Sequence, residues 1–239
     1  MLVRWITGFL DSPTTAAERF WTAVTGTTLS ARREGGTFAT LVPERGDACL
    51  RVQVVGSGPP RAHVDLHVED VAAATQEAVG LGASVVADNG EFVVLRSPAG
   101  IVFCLVPWHG EWVRPAAVRW PGGQRSGVDQ LSLDIPAGDY EAEVGFWAGL
   151  TGWRLGFSSF PEFRFLSGGA GLPLRFLLQR IGGGAPGVHL DLACDGVDAE
   201  VERHRALGAS VVRRVPGEWT TLRDPVGREY CVTGRAPGW

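Results

Sequence analysis

The chain repeats itself once, and the repeat survives along most of its length. HVDLHVEDVAAATQEAVGLGASVV, from His63, returns as HLDLACDGVDAEVERHRALGASVV, from His189, at an offset of 126. Phe20-Trp21 in ERFWTAVTG matches Phe146-Trp147 in VGFWAGLTG at the same offset, and Cys104 matches Cys231 at 127. Three separated blocks in step mean two copies of one fold rather than one shared motif. The period is too long for a solenoid and suits a whole small domain.

Composition narrows what such a pair can do. The 239 residues suffice for two cored domains. A net charge of −4 without a basic stripe argues against nucleic acid. No apolar run reaches spanning length, which argues against a membrane partner. The N-terminus has neither a long apolar stretch nor a small-residue cleavage site, so a cytoplasmic location is expected. Cys49, Cys104, Cys194 and Cys231 sit in apolar runs, as reduced buried thiols do. All 22 basic residues are Arg, which excludes lysine Schiff-base and P-loop lysine chemistry.

Each copy reads as two βαβββ modules. Leu2 to Leu10 is an expected strand, Pro13 opens a helix and Gly26 ends it. His63, Asp65 and His67 alternate with Val64, Leu66 and Val68, the period of a strand with two distinct faces. Asp70 is a helix N-cap, and Gly82 a stop. The stretch Trp108 to Gly127 has no counterpart in the repeat and contains three Trp residues that should pack rather than float. The expected division is a first domain at 1–112, a linker at 113–124 and a second domain at 125–239.

The FW…TG pair, H-[VL]-D-L, LGA, the D/S-P-x-G hairpin and the aromatic-Cys ending resemble the glyoxalase-like branch of the vicinal oxygen chelate superfamily, which includes bleomycin-sequestering proteins. The resemblance implies an α+β fold: two tandem domains, each of two βαβββ modules forming a cupped mixed sheet with helices outside. It implies a ligand on the concave face and metal ligands, where present, on the first and last strands of each module. His63 and His189 fall at such positions. The closing-strand Glu is missing from both copies, and Cys104 and Cys231 stand in its place. Arg4 or Trp5 fills the opening slot in the first copy, and Asp129 or Gln130 in the second. Gln53 and Gln179 match the first module's last strand.

Ligand contact is accordingly expected at His63, Asp65, Gln53, Trp5, Gln130, Gln179, His189 and Cys231. His189 and Asp191 are candidates for acid–base work, although an Asp–His pair two residues apart also fixes strand geometry. Both Cys residues read as small core residues rather than nucleophiles, Trp21 and Trp147 as core, and Asp224 as having no special spacing. No cofactor is expected, with a divalent metal admissible in the second domain through Asp129, Gln179, His189 and Cys231; thiolate with imidazole favours zinc. No stoichiometric metal is expected in the first. Two functional readings stay open: a metal-independent protein holding an apolar or aromatic small molecule, or a lyase or isomerase using a metal or His/Asp. The domains are expected to pair within the chain, and a homodimer is compatible with the sequence.

Overall fold

A computed structural model describes residues 1–238. The first repeat runs β1 (Trp5–Ser12), α1 (Glu18–Thr25), β2 (Thr28–Leu29), β3 (Phe38–Val42), β4 (Leu50–Val54), β5 (Arg61–Val68), α2 (Val71–Gly80), β6 (Ser84–Asp88), β7 (Val93–Arg96) and β8 (Val102–Pro107). After a short β9 (Val118–Arg119), the second runs β10 (Arg125–Pro136), α3 (Tyr140–Thr151), β11 (Arg154–Phe157), β12 (Phe163–Ser167), β13 (Arg175–Ile181), β14 (Gly187–Cys194), α4 (Val197–Ala206), β15 (Ser210–Val215), β16 (Trp219–Arg223) and β17 (Glu229–Thr233).

The strand orders show the repeat again. One sheet is β2-β3-β4-β1-β5-β8-β7-β6; the other is β11-β12-β13-β10-β14-β17-β16-β15, with β9 on β10. In both, the strand after the second connector pairs parallel with the strand that closes the repeat: Asp65 opposite Cys104, and Asp191 opposite Cys231. The expected α+β architecture of four strand–helix–strand modules is therefore present.

Local signals explain the boundaries. α1 and α3 end on Gly26 and Gly152, both left-handed at φ 64° and 65°, which a Cβ would disfavour. α2 starts where Asp70 accepts from the Ala73 N–H at 2.9 Å. The first strand begins at Trp5 rather than Leu2, which is exposed.

Packing in space groups the residues into two compact units, each built from three separate segments. One contains Met1–Gly8, His63–Trp112 and Leu131–Val188; the other contains Phe9–Ala62, Val113–Gln130 and the chain from His189. Each unit has its own core around one of the repeated Trp residues. In the first unit Trp147 lies edge-on to Phe103 and Phe176, with centroids 5.0 and 5.4 Å away. Its indole N–H donates to Glu143 at 2.7 Å, and Glu143 also accepts from the Ala99 N–H at 2.8 Å. In the second unit Trp21 lies edge-on to Tyr230 at 5.0 Å and donates to Asp224 at 2.9 Å. Asp224 also accepts from Val226 N, Arg228 N and the Arg228 guanidinium. Asp224 is thus a buried structural acid, which its plain sequence context did not reveal.

The second unit buries a further polar cluster. Glu200 on α4 accepts from Ser126 at 2.5 Å, Gln124 at 3.2 Å and Arg203 at 2.7 Å. Arg203 also donates to the carbonyls of Ala23 and Val24 at the end of α1, and lies 3.4 Å over the Trp120 ring. Burial alone would raise the Glu200 carboxyl pKa, but the hydrogen bonds from Arg203, His204 and Ser126 outweigh it and hold the group well below the usual carboxylate range.

Candidate functional site

Strand period two decides which side chains can meet. On β14, Leu190 and Leu192 are fully buried, while His189, between Val188 and Leu190 on the alternate face, keeps 15% of its side chain exposed. The parallel pairing sets Cys231 beside Asp191 on that face. The outcome is a cluster within the second unit: His189 Nε2 lies 3.4 Å from Asp191 Oδ1 and 3.9 Å from Cys231 Sγ. One atom from each of the three residues falls within 4.8 Å of the others.

The first unit contains the same three residue types in the same arrangement. His63 Nε2 lies 3.5 Å from Asp65 Oδ1, and Cys104 completes the set within 4.8 Å. Sequence reasoning found the histidines and cysteines. It weighed Asp191 as a base or strand fixer and Asp65 as a ligand contact as well, and did not group either carboxylate with the Cys of its repeat.

Surroundings differ. In the second unit the Gln130 amide donates to Asp191 Oδ2 at 2.5 Å, and the Thr221 hydroxyl lies 3.5 Å from Cys231 Sγ. In the first unit Val94 stands opposite Cys104 where Thr221 stands opposite Cys231. His67 adds a second, buried imidazole on the His63 strand, with Nε2 2.9 Å from the Thr7 hydroxyl and Nδ1 3.9 Å from Glu111. Ala193 holds that place in the second repeat.

The remaining expected residues are placed as follows. Asp129 stands apart from the triad, with both oxygens accepting from Arg235 at 2.5 and 2.7 Å. Gln179 accepts from the Ser132 hydroxyl at 3.4 Å in the first unit. Gln53 is half-buried opposite Phe38 in the second. Trp5 is almost wholly buried. Arg4, the other residue weighed for the opening slot, turns to Glu69 at 2.6 Å and lies over the Trp108 ring. Its charge is engaged there.

The electrostatics of the triads favour neutral thiols in a metal-free protein. Burial, then the nearby Asp65 charge, pushes the Cys104 thiol up to about 11, against a smaller lowering by His63. Burial and then Asp191 likewise raise Cys231, again opposed by His189. One oxygen of each carboxylate, Asp65 Oδ1 and Asp191 Oδ1, is buried without a hydrogen-bond donor. A buried acceptor left so is costly, and in both copies that oxygen is the one facing the imidazole nitrogen. The donor set of imidazole, carboxylate and thiol matches the ligands zinc takes. Four-coordinate zinc with bonds of about 2.0–2.3 Å brings its ligand atoms to roughly 3.3–3.8 Å of each other, close to the spacings here. The set fits a borderline-soft cation better than magnesium or manganese.

Comparison with known proteins agrees with the repeated fold. A family model for the glyoxalase-like domain matches twice, over residues 9–106 and 130–233. No curated protein matches the chain in sequence. Among solved structures, a halotolerant catechol dioxygenase, BphC, superposes with a TM-score of 0.65 at 16% identity, covering 97% of this chain and 87% of that one. The Mn(II)-bound glyoxalase from Novosphingobium aromaticivorans gives 0.64 at 14% identity, over 99% and 83%. The 2,2',3-trihydroxybiphenyl 1,2-dioxygenase from Sphingomonas wittichii strain RW1 gives 0.65 at 16%, over 100% and 98%. At such identities the likeness is one of fold alone.

Proposed function

The chain belongs to the glyoxalase-like family of the vicinal oxygen chelate superfamily, and on that premise we propose that its second triad is a small-molecule site built to hold one divalent cation, zinc by preference. The observation that carries this reading is the buried Asp191 Oδ1, without a donor, beside His189 Nε2 and Cys231 Sγ. His189, Asp191 and Cys231 would be the ligands. A cation there would act as a Lewis acid on an oxygen of the bound molecule, the chemistry of a lyase or isomerase.

The protein's own residues do the rest. Gln130 fixes the Asp191 carboxylate through Oδ2 and leaves Oδ1 directed at the triad. Thr221 supplies a hydroxyl that can donate to a Cys231 thiolate. The Cys231 proton must leave before sulfur can ligate, so cation affinity should rise with pH through neutrality.

A second reading draws on the raised thiols. In the first unit, with an apolar Val94 beside Cys104, the triad would stay metal-free and offer His63 as a hydrogen-bonding group to an apolar or aromatic ligand. The notion of a binding protein without metal survives for the whole chain if the second triad also proves empty.

One experiment separates these readings. Protein purified without chelator is analysed for metals, then stripped and titrated calorimetrically with zinc at pH 6, 7 and 8. One zinc per chain, tighter at higher pH and absent in Cys231→Ala, is the expected result. Failure to bind zinc at any of these pH values refutes the cation reading. Two equally tight ions per chain refute the distinction between the triads.

A further inference from the structure

Outside both triads, the second unit has a partly open cavity of about 310 Å³. Its walls come from the end of α1, from β3, from Cys49-Leu50 at the start of β4, and from the segment Pro115–Arg119 that joins the two repeats. That volume is about ten times a water's ~30 Å³ share of the liquid. It lies at the lower end of small-molecule sites, about 300–1,000 Å³, and far above the voids that close packing leaves in a core.

The joining segment is fastened at both ends, so the space is not left by a loose loop. At one end the Asp47 N–H donates to the Val113 carbonyl at 2.6 Å, and the Val113 N–H to the Asp47 carboxylate at 2.7 Å. Gly46, at φ 90°, admits this contact: a Cβ there would sit 2.3 Å from the Arg114 carbonyl oxygen. At the other end β9 pairs with β10, Trp120 donates to Ser126 at 2.8 Å, and Arg203 covers the Trp120 ring. The chain between these anchors bridges the cavity.

The wall chemistry indicates the occupant. Leu41, Leu50, Val24, Val118, Val128 and Leu192 give an apolar lining. The wall hydroxyls are already engaged by protein: Thr25 donates to the Trp21 carbonyl and meets Thr27, and Ser126 donates to Glu200. Cys49, at the wall, is a buried thiol raised to about 12 by desolvation, hence neutral. The charged lining residues Glu44, Arg45 and Arg119 are exposed. The side-chain hydroxyls inside are thus engaged and the charges lie at the exposed rim, so the interior offers a guest chiefly apolar side chains.

We propose that this cavity is a second binding site, separate from the triads, for a neutral apolar molecule the size of a small fused aromatic ring system.

The test uses the full chain and two probes. Fluorescence titration with 1-aminoanthracene should show saturable binding near one probe per chain. Ala117→Phe and Val128→Phe each put a ring into the space and should each weaken binding at least about tenfold, the loss expected when buried apolar contacts are removed. His189→Ala and Cys231→Ala should leave it within about twofold, as for independent sites; this separates the cavity from the proposed cation site, whose failure would not touch it. Melting curves verify that the filled variants fold. Bromobenzene soaked into wild-type crystals, located by its bromine anomalous signal, gives a reading that depends on no variant. Density between Val118 and Leu50 supports the site. The site is overturned by non-saturable binding, by filled variants that fold and bind like wild type, by probe loss in His189→Ala, or by bromine only elsewhere.

Discussion

The two compact units inherit the same parts and keep charge differently. In the first, the buried acid beside the repeated Trp is Glu143, which accepts from neutral donors, and burial raises its pKa despite bonds from Ser97, Ala99 and Trp147. In the second, the equivalent duty falls to Asp224 in an ion pair with Arg228 at 2.8 Å, and Glu200 adds a second buried pair with Arg203. The triads follow the same division. One has a second imidazole and an apolar neighbour for its Cys; the other has an amide on its Asp and a hydroxyl by its Cys. The two repeats therefore share the His, Asp and Cys, while the groups that set their charge differ. Identical residues at matched positions are poor evidence of identical chemistry when their partners differ.

The contrast can be tested most severely at Glu200. Replacing it by Gln should cost about 1.5–3 kcal/mol, since Arg203, Ser126 and His204 lose a charged acceptor. Glu143→Gln should cost much less, because its partners are neutral. Equal losses in urea melts would break the comparison. Wild-type stability should also fall on acidification. His204 is held below its ordinary pKa by burial, and Glu200 below its own, so for both groups the unfolded chain takes up protons first. The decline should begin near pH ~6.5 and steepen below about 4.3, the unfolded values for His and Glu. Glu200→Gln should flatten the lower part.

Next comes the assignment of faces on β14. Leu190→Ala should destabilise by about 2–5 kcal/mol, as core truncations do. His189→Ala, on the other face, should fall within about 1 kcal/mol. If both melt equally early, the triad is core and not a site.

At the triads, Cys231→Ala should weaken zinc binding by two orders of magnitude or more, about 2.7 kcal/mol, while Cys104→Ala leaves that ion in place. Metal lost equally from both variants would contradict a distinction between the units. The smallest effect concerns support rather than ligation. Gln130→Leu should lower zinc affinity about 10–100-fold, typical of outer-shell partners. The β1 segment WITGFLDS has no amide side chain to lose.

Much of this was legible in the sequence because it is local. Helix stops at Gly26, the Asp70 cap and the alternation around His63 depend on neighbours a few residues away. His189 and Cys231 were found by position in the repeat. The carboxylate of the triad was not assigned, because nothing in HLDL says that Asp191 shares a face with a Cys 40 residues on; the β14–β17 pairing decides that. Asp224 was passed over for the same reason. Its partner Trp21 lies 203 residues earlier, a separation no window of spacing can span. Asp129 was weighed as a ligand from its slot alone, and its pairing with Arg235, 106 residues on, could not be read there.

That same bond from Trp21 to Asp224 bears on how the chain is made. α1 leaves the ribosome 203 residues before the acid that receives its indole, and the Tyr230 ring packed on it follows later still. During synthesis the apolar face of α1 must wait for most of the polypeptide. Contacts of such long sequence separation slow folding and prolong the exposure of apolar surface. A nascent chain stalled after the first repeat would hold all of that repeat's strands and none of these partners for its first helix.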